Sequence, residues 1–248
     1  MNPSIDASIE TLANLIRENR PCVALTGAGI STESGIPDFR SPTGIWRKYD
    51  PMAYAHIDAF HADPEKVWEF YGLRLGVLGD AQPNAGHRAL AELEERGVVE
   101  AVITQNVDRL HERAGSRSVV EVHGSIRTSS CLRCGTVVPM EEVVPLLPVP
   151  HCPACGEILK PDVVMFGELL PAASIARAEQ LARGAGVLLV VGSSLEVHPV
   201  AGLPLETLAA GGHVAIVNKG TTPFDLRADV LVDASAGEAL AALAERLQ

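Results

Sequence analysis

Four of the five cysteines fall into two Cys-x-x-Cys pairs, Cys131 with Cys134 and Cys152 with Cys155, separated by residues 135–151. A turn of that spacing lets two thiolates reach one ion, and two such turns complete a tetrahedron. Four thiolates leave no open coordination position, so the ion they predict is a structural Zn2+, not a catalytic one. His151 stands beside Cys152 and is surplus to a four-cysteine set. The fifth cysteine, Cys22, sits in the apolar run Cys22-Val23-Ala24-Leu25-Thr26 and reads as a small buried residue. An odd cysteine count argues against a disulfide framework.

The same apolar run leads into Thr26-Gly27-Ala28-Gly29-Ile30-Ser31. Glycines let backbone approach a pyrophosphate, and amides at a helix start favour its charge. The third glycine of the simple dinucleotide fingerprint would fall at position 32, which is Thr32. The loop alone therefore leaves nucleotide binding and a plain tight turn both open.

Further polar, glycine-containing segments follow apolar runs. Ser34-Gly35-Ile36-Pro37-Asp38-Phe39-Arg40 continues from the loop, and Thr104-Gln105-Asn106-Val107-Asp108, His123-Gly124, Gly192-Ser193-Ser194-Leu195 and Asn218-Lys219-Gly220 end other runs. Such a layout is expected of a cleft at the carboxyl ends of parallel strands. Together with the paired cysteines and Lys160-Pro161-Asp162-Val163-Val164-Met165-Phe166-Gly167-Glu168, the set closely resembles the sirtuin family of NAD-dependent protein lysine deacylases. The resemblance runs from about residue 20 to the C-terminus.

The resemblance implies the chemistry and most of the roles. NAD is consumed as co-substrate: nicotinamide leaves, the acyl oxygen of a modified lysine attacks the anomeric carbon, and His123 as general base deprotonates a ribose hydroxyl that attacks the imidate. Water then completes release of free lysine and an O-acyl-ADP-ribose. An imidazole titrates close enough to neutrality to serve as that base. Asn106 and Asp108 are expected to position the nicotinamide ribose and amide, and Gln105 to support the ribose. Asp108 could also cap a helix starting near Arg109-Leu110-His111. Gly27, Ala28, Gly29 and Ile30 are expected near phosphate, with Phe39, Arg40 and Trp46 on the nicotinamide side. Gly192, Ser193 and Ser194 would meet phosphate or ribose. Asn218, Lys219 and Gly220 would meet the adenine ribose, and Ala236 the adenine. The other seven histidines are read as structural. Val163, Met165 and Phe166 are expected to bind the substrate peptide as an added strand, alongside Leu195-Glu196-Val197.

Tyr71 and Arg74 are three apart in a helical pattern and share a face. With the preceding Val67-Trp68-Glu69-Phe70, this Tyr-x-x-Arg resembles the sirtuin branch that removes succinyl and malonyl groups. A guanidinium and a phenol suit a terminal carboxylate. Ala55 resembles the small residue that leaves room for a larger acyl group in that branch. Acidic acyl groups are therefore expected to be favoured, with acetyl also accepted. A plain deacetylase and a sirtuin-fold mono-ADP-ribosyltransferase are the alternatives. A non-catalytic NAD-binding module is a further one.

These residues need a frame. Apolar runs at 22–26, 98–104, 119–122, 162–166, 187–191, 213–217 and 229–232 alternate with helical patterns at 4–19, 84–96, 172–184, 200–210 and 236–247, with Ser4 as a cap for the first. Fully apolar strands alternating with helices predict an α/β fold: a parallel Rossmann-like sheet with helices on both faces. The predicted division is a discontinuous NAD-binding domain of residues 1–35, 81–125 and 158–248. Residues 36–80 form a cofactor loop and the helical part of a small lobe, and 126–157 a zinc-binding module. The chain has 248 residues, 47% hydrophobic and 21% charged, which excludes a disordered chain. Its net charge of -11 argues against nucleic-acid partners. No apolar run reaches membrane-span length and no export signal precedes the first helix, so a soluble cytoplasmic protein is expected, its partners acylated-lysine proteins or peptides. The oligomeric state is not specified, and a monomer is consistent with the sequence.

Overall fold

Seven short apolar runs predict sheet, and six of them form one. The computed structural model describes residues 3–248. Its main sheet contains β1 (Cys22–Thr26), β2 (Val99–Thr104), β3 (Val119–Glu121), β7 (Val187–Val191), β8 (His213–Val217) and β9 (Val230–Val232). They pair in the order β3-β2-β1-β7-β8-β9, every pair parallel. The order reverses between β1 and β7, and open α/β sheets bind ligands at such a switch point.

Alternate side chains of β1 enter opposite cores, as strand geometry requires. Cys22 and Ala24 pack with α1 (Pro3–Glu18), α5 (Ala85–Glu95) and α10 (Ala236–Arg246). Val23 and Leu25 pack with α8 (Ala172–Gly184) and α9 (Leu203–Ala209) on the other face. Ser4 lies inside α1, not before it. The pattern at 200–210 divides into a 3-10 turn, Val200–Gly202, and α9.

A third core belongs to the small lobe. It joins α2 (Pro51–Tyr54), α3 (Ile57–Ala62) and α4 (Pro64–Asp80) to an antiparallel sheet, β5-β4-β6, and the short α7 (Met140–Val143). The sheet strands are β4 (Gly124–Cys131), β5 (Val137–Pro139) and β6 (Leu159–Val163). The run at 162–166 is thus not a strand of the parallel sheet. Only its start lies in β6; beyond it Met165 is buried, Val164 half-buried and Phe166 exposed on the cleft. Such an apolar lining segment carries the same side chains as a strand, so the run alone could not separate them. A five-residue helix, α6 (Leu110–Ala114), follows β2. Among the described residues no helix is long and apolar enough to cross a membrane.

Candidate active site

The loops after β1 and β7 meet at the switch point. Gly27 donates its N–H to Val191 O (3.0 Å), and Gly29 donates to Gly192 O (2.8 Å). A Cβ on Gly29 would lie 2.7 Å from Gly192 Cα, and one on Gly192, at φ 59°, would lie 2.4 Å from Ile30 N. Glycine is required here because two backbones touch. A cleft of about 770 Å³ opens above them, between the sheet and the small lobe.

Gln105 and Asn106 extend β2 into this cleft. Gln105 donates Nε2–H to Ser193 Oγ (2.8 Å). Asn106 donates Nδ2–H to Gly27 O and Ser31 Oγ, both at 3.1 Å. Asp108 accepts from Ser31 Oγ (2.7 Å) at one oxygen and from Leu110 N (2.9 Å) at the other, so it faces the cleft and caps the turn into α6 at once. Burial pushes the Asp108 carboxyl up, opposed by those two bonds and by the Arg74 and Arg113 charges.

His123 ends the connection from β3, and Gly124 after it adopts φ 75°. A Cβ there would sit 2.1 Å from Asp162 O, so only glycine lets β4 start beside β6. His123 Nδ1 lies 3.2 Å from Gln105 O. A carbonyl can only accept, so Nδ1 carries the proton of the neutral ring and Nε2 keeps its lone pair. Burial holds the imidazole below its ordinary value, the nearby Arg40 charge adds to this, and the Gln105 bond opposes it. A neutral imidazole with a free Nε2 is the form a general base requires.

Ser31, His87 and His111 extend the site inward, and sequence reasoning passed over all three. His111 Nε2 lies 2.9 Å from Thr26 Oγ1, which donates to Thr104 Oγ1 (2.9 Å), which in turn accepts Asn106 N–H (3.1 Å). His87 Nδ1 accepts Asn84 N–H in the box that caps α5. Its Nε2 stands 3.5 Å from Ser31 Oγ, and its ring 4.9 Å from that of His111. Burial drives both histidines down, to about 4 for His87 and about 3 for His111. One sequence signal existed: Asn84 and His87 have capping-box spacing.

Ala28, Phe39, Arg40 and Trp46, expected on the cofactor side, line the cleft. Phe39 and Trp46 pack at 5.2 Å, and Arg40 pairs with Glu196 at 3.3 Å. Gly192, Ser193, Ser194, Asn218, Lys219 and Ala236 line it further along. Two of the expected residues do not line the cleft. Ile30 is fully buried in the core beneath the sheet's switch point, because its side chain points away from the glycine backbone. Gly220 lies outside the cleft lining, in a turn at φ 85°, its carbonyl bonded by Asn218 Nδ2 (3.1 Å). Glu33 adds a residue not foreseen, accepting Gly237 N–H (2.7 Å) at the start of α10.

The opposite wall carries Val163, Met165 and Phe166, with Ala55, Tyr71 and Arg74 beside them. Phe166 donates N–H to Ala55 O (2.8 Å) and accepts Ile57 N–H (2.9 Å), so the wall and the residue behind it are one unit. Val163 and Met165 are buried while Phe166 is 37% exposed. Burial pushes the Tyr71 phenol up to about 12, against the pull of Arg74 and with the push of Glu168. Glu168 is neutralised by the buried Lys160 ammonium at 2.9 Å.

The four zinc-pattern thiols converge. Cys131, Cys134, Cys152 and Cys155 place their sulfurs within 4.8 Å of one another, with pairs at 3.4 and 3.6 Å. The edge of a tetrahedron with Zn–S bonds of 2.3 Å is about 3.8 Å, so the set fits a structural Zn2+. His151 turns to Gly156 O instead (2.9 Å).

Comparison with known proteins agrees with this geometry. Residues 27–199 match the Sir2 family model. The chain is 49% identical over 232 residues to an NAD-dependent protein deacetylase of Caldivirga maquilingensis, covering 92% of this chain and 89% of the relative. It is 46% identical to NAD-dependent protein deacylase 1 of Archaeoglobus fulgidus, covering 93% and 94%. A solved Sir2 structure with a deacetylated p53 peptide and 3'-O-acetyl ADP-ribose superposes with a TM-score of 0.92 at 43% identity, over 96% of this chain and 97% of that one. Another, Sir2Tm bound to a propionylated peptide, gives 0.89 at 40% identity, over 97% and 99%. The Rossmann-like frame, the meeting of the glycine loops, the strand-end Gln-Asn-x-Asp and His, and the four-thiol cluster all lie on a chain that belongs to the Sir2 family.

Proposed function

We propose that this protein removes acyl groups from protein lysine side chains with NAD as co-substrate, and that it favours acyl groups ending in a carboxylate. The names of its relatives support the first half. In this reading NAD supplies the electrophilic ribose carbon and is consumed. The glycine backbones at Gly27 and Gly29 receive the pyrophosphate. Asn106 and Asp108, braced by Ser31, orient the nicotinamide ribose. His123 Nε2 accepts the proton of a ribose hydroxyl. The acylated peptide adds as a strand along Val163–Phe166, where backbone bonds give affinity with little dependence on sequence. The four cysteines would hold a Zn2+ that stabilises the small lobe and takes no part in the chemistry.

The second half rests on one observation. Arg74 faces the cleft beside Tyr71 with no hydrogen bond and no carboxylate at ion-pair distance among the described residues. A desolvated, unpaired guanidinium is costly to keep, and a ligand carboxylate would satisfy it. The test is a comparison of kcat/KM for one peptide carrying succinyl-lysine or acetyl-lysine. Succinyl-lysine is expected to be the better substrate. Arg74→Met should lower its kcat/KM roughly ten- to hundredfold, the range for a charged hydrogen bond, with little effect on acetyl-lysine. Acetyl-lysine winning in the parent enzyme would make the protein a plain deacetylase. Transfer of labelled ADP-ribose onto protein without deacylation would mark a mono-ADP-ribosyltransferase.

A further inference from the structure

The Arg74 guanidinium is held by rings. Its carbon lies 4.9 Å from the centroid of Phe39 and 5.7 Å from that of Phe70. Cation–π contacts of this kind hold the charge without taking up a conventional hydrogen-bond acceptor, and no described hydrogen bond uses the N–H donors of Arg74. The two rings are mounted differently. Phe70 is 3% exposed, on α4, and packs against Trp46, Tyr49, Tyr54 and Tyr71 at 5.1 to 5.9 Å. Phe39 lies on the segment between two 3-10 turns, against Trp46 at 5.2 Å, next to the Arg40–Glu196 pair. One ring belongs to the acyl wall and the other to the cofactor wall.

We propose that Phe70 and Phe39 are specificity-determining residues: their two rings hold the Arg74 guanidinium at the cleft by cation–π contact, where a carboxylate-ended acyl group meets N–H donors that have no hydrogen-bond partner among the described residues. This rests on the acidic-acyl reading above and adds residues that need not touch the acyl carboxylate themselves. It also ties acyl selectivity to the cofactor wall. A displaced Phe39 removes one of the two ring contacts that hold the guanidinium in place and weakens its preference for a carboxylate.

The experiment uses the full chain with Phe70→Leu, Phe70→Tyr, Arg74→Met and the Phe70→Leu/Arg74→Met double variant. The readouts are kcat/KM for succinyl- and acetyl-lysine forms of one peptide at saturating NAD, with Tm for each variant. Phe70→Leu should lower the succinyl-to-acetyl ratio roughly three- to thirtyfold, the span of cation–π contacts from exposed to desolvated. Phe70→Tyr, which keeps the ring, should restore most of it. Adding Phe70→Leu to Arg74→Met should change the ratio no further. If Phe70→Leu slows both substrates alike, or lowers the ratio equally without Arg74, the ring is packing alone and the proposal is overturned. The acidic-acyl reading would then still stand on Arg74→Met. If Arg74→Met leaves the ratio unchanged, that reading fails and this proposal fails with it. Should Phe70→Leu not fold, Phe39→Leu supplies the same ratio, since its effect on NAD is common to both peptides.

Discussion

His87 and His111 place two imidazoles where water cannot reach, and their protonation is linked to folding. Both are neutral in the fold at pH values where an unfolded histidine, titrating near 6.5, is charged. As pH falls below that value the unfolded chain takes up protons the folded chain refuses, so stability is lost on the acid side and regained above it. The loss is about 2 kcal/mol per histidine at pH 5. His111→Gln cannot take up that proton in either state. It should therefore show about 2 kcal/mol less acid destabilisation than the parent between pH 7.5 and 5, measured by urea unfolding. Equal acid sensitivity in both would mean that His111 is protonated in the fold. Neither histidine was legible in the sequence, where a lone His beside an apolar residue has many meanings. His123 was legible because a glycine follows it and the Sir2 pattern surrounds it. Ile30 shows the opposite case, a residue inside a glycine loop that turns its side chain into the core.

At the scale of elements, the parallel sheet was readable because its central strands β1 and β7 are buried on both faces and their neighbours nearly so, which makes the runs apolar. The small sheet was not. β4 reads Gly-Ser-Ile-Arg-Thr-Ser-Ser-Cys and is only partly buried along most of its length, while β6 contains Pro161 and the buried Lys160. Nothing in those residues signals a strand until the cysteines fold the turns beside them. The meeting of the β1 and β7 loops was legible only as glycines. Gly192→Ala must accommodate both a positive φ and a methyl group against Ile30 N. It is expected to cost about 2 kcal/mol or more and to weaken NAD binding more than peptide binding. Thermal unfolding with NAD and peptide titrations would check both, and an unchanged NAD affinity would remove these loops from the cofactor site.

For the whole molecule, the four-cysteine cluster and the proposed peptide wall share one core. Cys131 and Cys152 pack in the cluster that holds Trp68, Leu159, Val163 and Met165, and Trp68 donates Nε1–H to Leu159 O (2.6 Å). Stripping zinc with a strong chelator should loosen this lobe first. The expected sequence is a change in Trp68 fluorescence and a rise in peptide KM before NAD binding falls. Simultaneous loss of both would mean that the lobes unfold together. The strand order has a consequence for how the protein is made. β1 is synthesised well before β7, yet Cys22–Thr26 pairs along one side with Val187–Val191. At roughly 5–20 residues per second, that side of the strand waits on the order of ten seconds for its partner to leave the ribosome. During that interval Cys-Val-Ala-Leu-Thr is an open apolar edge able to pair with a neighbouring nascent chain. Crowding of ribosomes on one message therefore exposes this fold to aggregation before it is complete.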